Sequence, residues 1–157
     1  MANLEKWAPS VSWTTCGFTA SNFDSRASGQ LVVATSDVDN SSNKDRYCRI
    51  KFKLEVGGTT TVGSTLAFLV MNYDADNSIY GDNSATGDTN PAAHQVKVTA
   101  QVKNGITSGN AVYGTTEWFE IPPSVFRFGV LQLLGSTTDA SANATFKYET
   151  ANIDLNG

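Results

Sequence analysis

Between Tyr47 and Val56 the chain alternates without a break. Cys48, Ile50, Phe52, Leu54 and Val56 fall on one side, and Tyr47, Arg49, Lys51, Lys53 and Glu55 on the other. A period of two with one apolar face predicts a half-buried strand, because successive side chains leave a pleated strand on opposite sides. Wound as a helix, the same residues would be scattered around the axis. Gly57-Gly58 then ends the strand. The rhythm returns over Gln95–Lys103, with Val96, Val98, Ala100 and Val102 inward, and stops at the turn signal Asn104-Gly105. Thr65–Tyr73 is apolar on both faces and predicts a central strand covered on two sides, with a buried helix as the alternative that periodicity leaves open. Shorter strands are predicted within Val11–Phe18, Leu31–Thr35, Thr115–Ile121 (stopped by Pro122-Pro123), Phe126–Leu134 and Ala144–Thr150. Residues 74–94 form a long Asp-, Asn-, Gly- and Ser-rich loop, a length usually reserved for functional or mobile segments. The reading is therefore an N-terminal arm over residues 1–10 and one domain over residues 11–157. The domain is all-β: an antiparallel β-sandwich of about eight strands, expected to be a jelly roll.

Composition agrees with this class. Charged residues make up 17% of the 157, below the roughly 25% of an average domain, and Thr, Ser, Asn and Gly take their place. These residues suit strands and turns better than helix surfaces. A net charge of −4 speaks against a general nucleic-acid binder, which needs a basic footprint. The nearest approach to one is Lys44, Arg46, Arg49, Lys51 and Lys53, read as a solvated strand face. The longest apolar stretch, Leu66–Met71, is far too short to cross a bilayer as a helix. Met1–Trp7 lacks a basic segment followed by an apolar run, so the expectation is cytoplasmic synthesis without a signal peptide. The sequons at Asn40 and Asn143 are then expected to stay unmodified.

Candidate chemistry is sparse. Cys16 and Cys48 match no zinc or redox spacing; two buried thiols are the favoured reading, a disulfide the other. His94 is the single histidine, without a nucleophile motif or further metal ligands around it. Glu117 and Glu120 stand three positions apart, an odd offset that puts them on opposite faces of a strand and argues against a paired-carboxylate site. Asp74, Asp76, Asp82 and Asp88 share the long loop and offer oxygen ligands of the kind Ca²⁺ takes. The EF-hand pattern fails there, however, with Ile79 in place of Gly and Ala85 in place of the closing Glu. Trp7, Trp13, Trp118, Tyr73 and Tyr80 can be assembled into a sugar-stacking platform, Trp7 with Tyr80 being the pair considered. The plainer reading places Trp13 and Trp118 in the core. No catalytic residue, cofactor or metal is assigned, and the chain is expected not to be an enzyme.

Three stretches carry a family likeness. Leu66–Asp82, a hydrophobic strand running into an Asp/Asn/Tyr/Gly loop, resembles a segment of small virion proteins of tailed bacteriophages. Trp118–Val130 is similar to their strand, Pro-Pro and aromatic-strand pattern, and Ala142–Tyr148 resembles their last strand. The likeness departs in the loop, which is longer here and lacks the usual Asp-Gly pair before Asn77. The resemblance implies a jelly-roll-like capsid decoration (cement) protein that binds the outer capsid lattice. Its partners would be the major capsid protein and further copies of itself, a trimer being favoured, with no nucleic acid and no membrane. The expected location is the virion surface. Leu4, Trp7 and Pro9 of the arm, with Tyr80, are the partner-binding residues chosen on this reading. The alternative is a carbohydrate-binding β-sandwich of a tail or receptor-binding apparatus.

Overall fold

The computed structural model describes residues 6–9, 12–72, 85–89, 91 and 95–154. They form two antiparallel sheets. The strands are β1 (Lys6–Pro9), β2 (Thr14–Thr15), β3 (Leu31–Val33), β4 (Val38–Asp39), β5 (Tyr47–Glu55), β6 (Thr65–Asn72), β7 (Val96–Gln101), β8 (Ala111–Thr115), β9 (Phe119–Glu120), β10 (Val125–Leu133) and β11 (Ala144–Asp154). The first sheet runs β1-β11-β5-β8, with β2 also on β11 and β9 also on β5. The second runs β3-β10-β6-β7, with β4 also on β10.

The strand segments number eleven against the eight or so predicted, and the excess has a simple origin. β1 and β2 pair with successive stretches of β11, β3 and β4 with successive stretches of β10, and β8 and β9 with successive stretches of β5. Each pair is one strand interrupted. Counted so, eight strands remain, in orders 1-8-3-6 and 2-7-4-5, which is the jelly roll. The break between β8 and β9 is built by Thr116, whose hydroxyl accepts the Ile50 N–H at 2.9 Å while its own N–H donates to the Ile50 carbonyl at 2.8 Å.

The alternation of β5 is reproduced residue for residue: Cys48, Ile50, Phe52 and Leu54 are buried, and their neighbours half-buried. Inside, phenylalanines fill the space between the sheets. Phe23 stacks on Phe146 at 4.9 Å between centroids, Phe52 meets Phe68 at 5.5 Å, and Phe126 meets Phe128 edge-on at 5.2 Å. Each such burial is worth about 1.5–3 kcal/mol. β6 is buried on both faces, as its composition predicts. Leu66, Phe68 and Val70 join the main core, while Leu69 and Met71 form a second cluster with Leu31 and Val33 on the far side of the second sheet. Residues 85–89 run beside this cluster: Leu31 N–H donates to the Asp88 carbonyl and Gly87 N–H to the Leu31 carbonyl, both at 2.8 Å.

Several predicted boundaries move. Of Val11–Phe18, only Thr14–Thr15 is strand among the described residues. Thr115–Ile121 becomes the end of β8 plus β9, and most of β8 lies in a stretch not predicted as strand. A 3-10 turn, Ala20–Phe23, appears where no helical signal exists, and it delivers Phe23 to the core. Lys6–Pro9, within the segment read as an arm, is the edge strand β1, in register with Asp154–Ala151. Among the described residues, no helix is long and apolar enough to cross a membrane.

Candidate functional site

The polar side of β5 faces outward from the first sheet, and the neighbouring strands continue it in rows. Across from Arg49 on β11 stands Glu149; across from Lys51 stands Lys147, and across from Lys53 stands Thr145. On the other side, Thr115 of β8 faces Lys51 and Tyr113 faces Lys53. Two adjacent rows therefore read Lys147–Lys51–Thr115 and Thr145–Lys53–Tyr113. These side chains surround an open groove of ≈550 Å³ with Phe52 and Gly114 between the rows. Strand spacing makes the patch about 10 Å wide, and the two-residue repeat makes it about 7 Å along the strands.

The charge in the groove is unusual for this chain. Three of its eleven Lys and Arg residues line the groove, although the net charge is −4. Lys51 and Lys147 stand directly opposite each other, a like-charge cross-strand pair that works against the sheet. Lys53 is partly offset by Glu55, at 3.6 Å. Among the described residues no carboxylate forms an ion pair with Lys51 or Lys147. The Lys51 ammonium lies 4.3 Å from the centroid of the Trp13 ring instead. Tyr113 is 67% exposed at the rim.

The next row explains the two tryptophans. Arg49 forms an ion pair with the buried Glu149 and lies over both Trp118, at 4.8 Å, and Trp13, at 5.5 Å. Trp13 and Trp118 are half-buried on this outer face rather than in the core, which corrects the plainer reading of both. A guanidinium stacks flat on indole while its N–H groups reach a carboxylate, so arginine suits this place and lysine does not. The row braces one end of the groove.

The other candidates lie apart. Leu4, Tyr73, Tyr80, His94, Asp74, Asp76 and Asp82 lie outside the described residues. Trp7 and Pro9 are in β1. Asp88 accepts the Ala85 N–H through Oδ2 at 2.7 Å, a local turn contact. Among the described residues, no group of three His, Cys, Asp or Glu side chains is placed to hold a metal ion. Cys16 and Cys48 are free and buried. Burial, then the neighbouring Cys48, pushes the Cys16 thiol well above its ordinary pKa; burial, then Glu149, does the same to Cys48. Both are therefore poor nucleophiles.

Of the groove residues, Lys51 and Lys53 belong to the face singled out in the sequence. Tyr113, Thr115, Thr145 and Lys147 do not stand out there, because only the β11-β5-β8 register brings them together. No family model, curated protein or solved structure matches this chain.

Proposed function

We propose that this chain is a structural virion protein of a tailed bacteriophage, a capsid decoration or cement protein that binds the outer capsid lattice and stabilises it. The supporting observation is the filled interior. Phe23, Phe52, Phe68, Phe126, Phe128 and Phe146 occupy the space between the sheets and leave no ligand cavity there among the described residues. Work is left to the outer surfaces, which suits binding rather than catalysis. The resemblance of Leu66–Asp82, Trp118–Val130 and Ala142–Tyr148 to small phage virion proteins supplies the biological setting. On this reading the partners are the major capsid protein and other copies of the chain, with a trimer favoured.

The test is cryo-electron microscopy of purified particles that carry this protein, with light scattering on the isolated chain. The expected result is repeated density for the domain over the outer face of the head. Density confined to the tail, or no copies on the particle, would overturn the proposal. A second reading, a carbohydrate-binding domain of a tail apparatus, has the exposed ring of Tyr113 beside an open groove in its favour.

A further inference from the structure

We infer that the groove on the first sheet is a binding site for a carboxylate-bearing saccharide, a uronic-acid unit being the simplest ligand of this class. The inference does not depend on whether the domain sits on a head or a tail. Four observations carry it. Lys51 and Lys147 face each other across neighbouring strands, so the sheet tolerates a repulsion that a bound anion would relieve. Lys53, in the next row, adds a third ammonium, shared with Glu55. At the rim, Tyr113 presents an exposed aromatic ring, the surface on which the C–H face of a sugar stacks. Thr115 and Thr145 add one hydroxyl in each row, able to donate to or accept from sugar hydroxyls.

The dimensions fit. An area of about 10 by 7 Å matches one pyranose ring with its substituents. The chemistry also separates this ligand from an acidic peptide. An extended peptide is held mainly by backbone pairing at a free sheet edge. The groove is centred instead on β5, already paired on both sides by β11 and β8, and the free edge of β8 lies only at its rim. Over β5 only side chains are available, so a ligand seated there must bring its own charge and a face to stack. Trp13, over which Arg49 also lies, holds the Lys51 ammonium without neutralising it.

Titration calorimetry of the full chain with a galacturonic-acid trimer, a neutral galactose trimer and a tri-glutamate peptide tests the proposal, with amide chemical-shift mapping to place the ligand. The uronate is expected to bind, to shift residues 51–53, 113–115 and 145–147, and to bind at least tenfold more tightly than the neutral sugar. Lys147→Gln should weaken it about tenfold, the loss of one charge-assisted contact. Tyr113→Ala should weaken it about three- to tenfold. Lys147→Gln should melt no lower than the parent, because it removes a like-charge pair; this separates a binding role from a structural one. Three outcomes would overturn the proposal: no uronate binding, shifts confined to another surface, or tri-glutamate binding equally well with no effect of Tyr113→Ala. The last would assign the groove to an acidic protein surface. Head or tail density in particle images bears on the proposed function and leaves this test untouched.

Discussion

Replacing Gly114 by Ala sets two effects of opposite sign against each other. Gly114 lies on the edge strand β8, directly across from Phe52. A Cβ built there would sit 2.5 Å from Phe52 Cζ and 2.9 Å from Cε1. The ring cannot simply swing away: it is 5% exposed and packs against Phe68 at 5.5 Å and Phe146 at 6.2 Å. Forcing a methyl into such a site costs about 1–3 kcal/mol. Against this, Ala reduces the freedom of the unfolded chain and returns about 0.4–1 kcal/mol. The clash wins, leaving a net loss of about 1–2 kcal/mol, which lowers Tm by about 2–8 °C in a domain of this size. Urea melts followed by circular dichroism measure it, alone and in a cycle with Phe52→Leu, whose shorter side chain vacates the space. The cycle should show a favourable coupling of about 1 kcal/mol, the double variant losing less than the sum of the singles. A Gly114→Ala protein as stable as the parent, or an additive cycle, would refute the idea that Phe52 covers this glycine.

Other expectations follow from the same structure. Arg49→Lys should destabilise by about 1–3 kcal/mol, since the ammonium keeps the charge but loses the guanidinium contact with Trp13 and Trp118 beside the buried Glu149; indole fluorescence should change with it, and a parent-like melt would contradict the contact. Cys16 and Cys48 should be silent to a thiol reagent in native buffer, and two thiols should react once the chain is unfolded. Their raised pKa values set an alkaline limit. The folded chain keeps protons that the unfolded chain releases, so stability is flat below the ordinary thiol value and falls as pH rises above about 9, by up to about 1.4 kcal/mol per pH unit for each thiol. Urea midpoints at pH 7 and pH 10 check the sign. Met71→Ala should cost about 2–5 kcal/mol although Met71 faces away from the main core, because it is fully buried in the second cluster.

What could be read in the sequence depended on the range of the interaction. β5 and β6 were legible because burial imposes its pattern on neighbours along one strand: the alternation at Cys48–Leu54 and the two-sided apolar run at Leu66–Met71 survive intact. β8 was not legible. Its five residues include Gly114, a poor strand former that is acceptable only because Phe52 from another strand lies over it. Trp13 and Trp118 carry no local mark to say whether they are core or surface. What decides is Arg49, 36 residues from the first and 69 from the second along the chain, which holds both on the outer face. The groove was half visible for the same reason. Lys51 and Lys53 lie on one strand, but Lys147 joins them only through the register of β11 with β5.

That register also governs the order in which the molecule can be made. Among the described strands β11 is the last to leave the ribosome, yet it lies between β5 and both β1 and β2 and serves as their common template. Until it emerges, one flank of β5 and the whole of β1 and β2 lack the partner they have in the fold, so the first sheet can close only once residues 144–154 have been made. A polypeptide cut short before residue 144 would leave β5 with an open, partly greasy edge, the kind of species that chaperones and proteases remove.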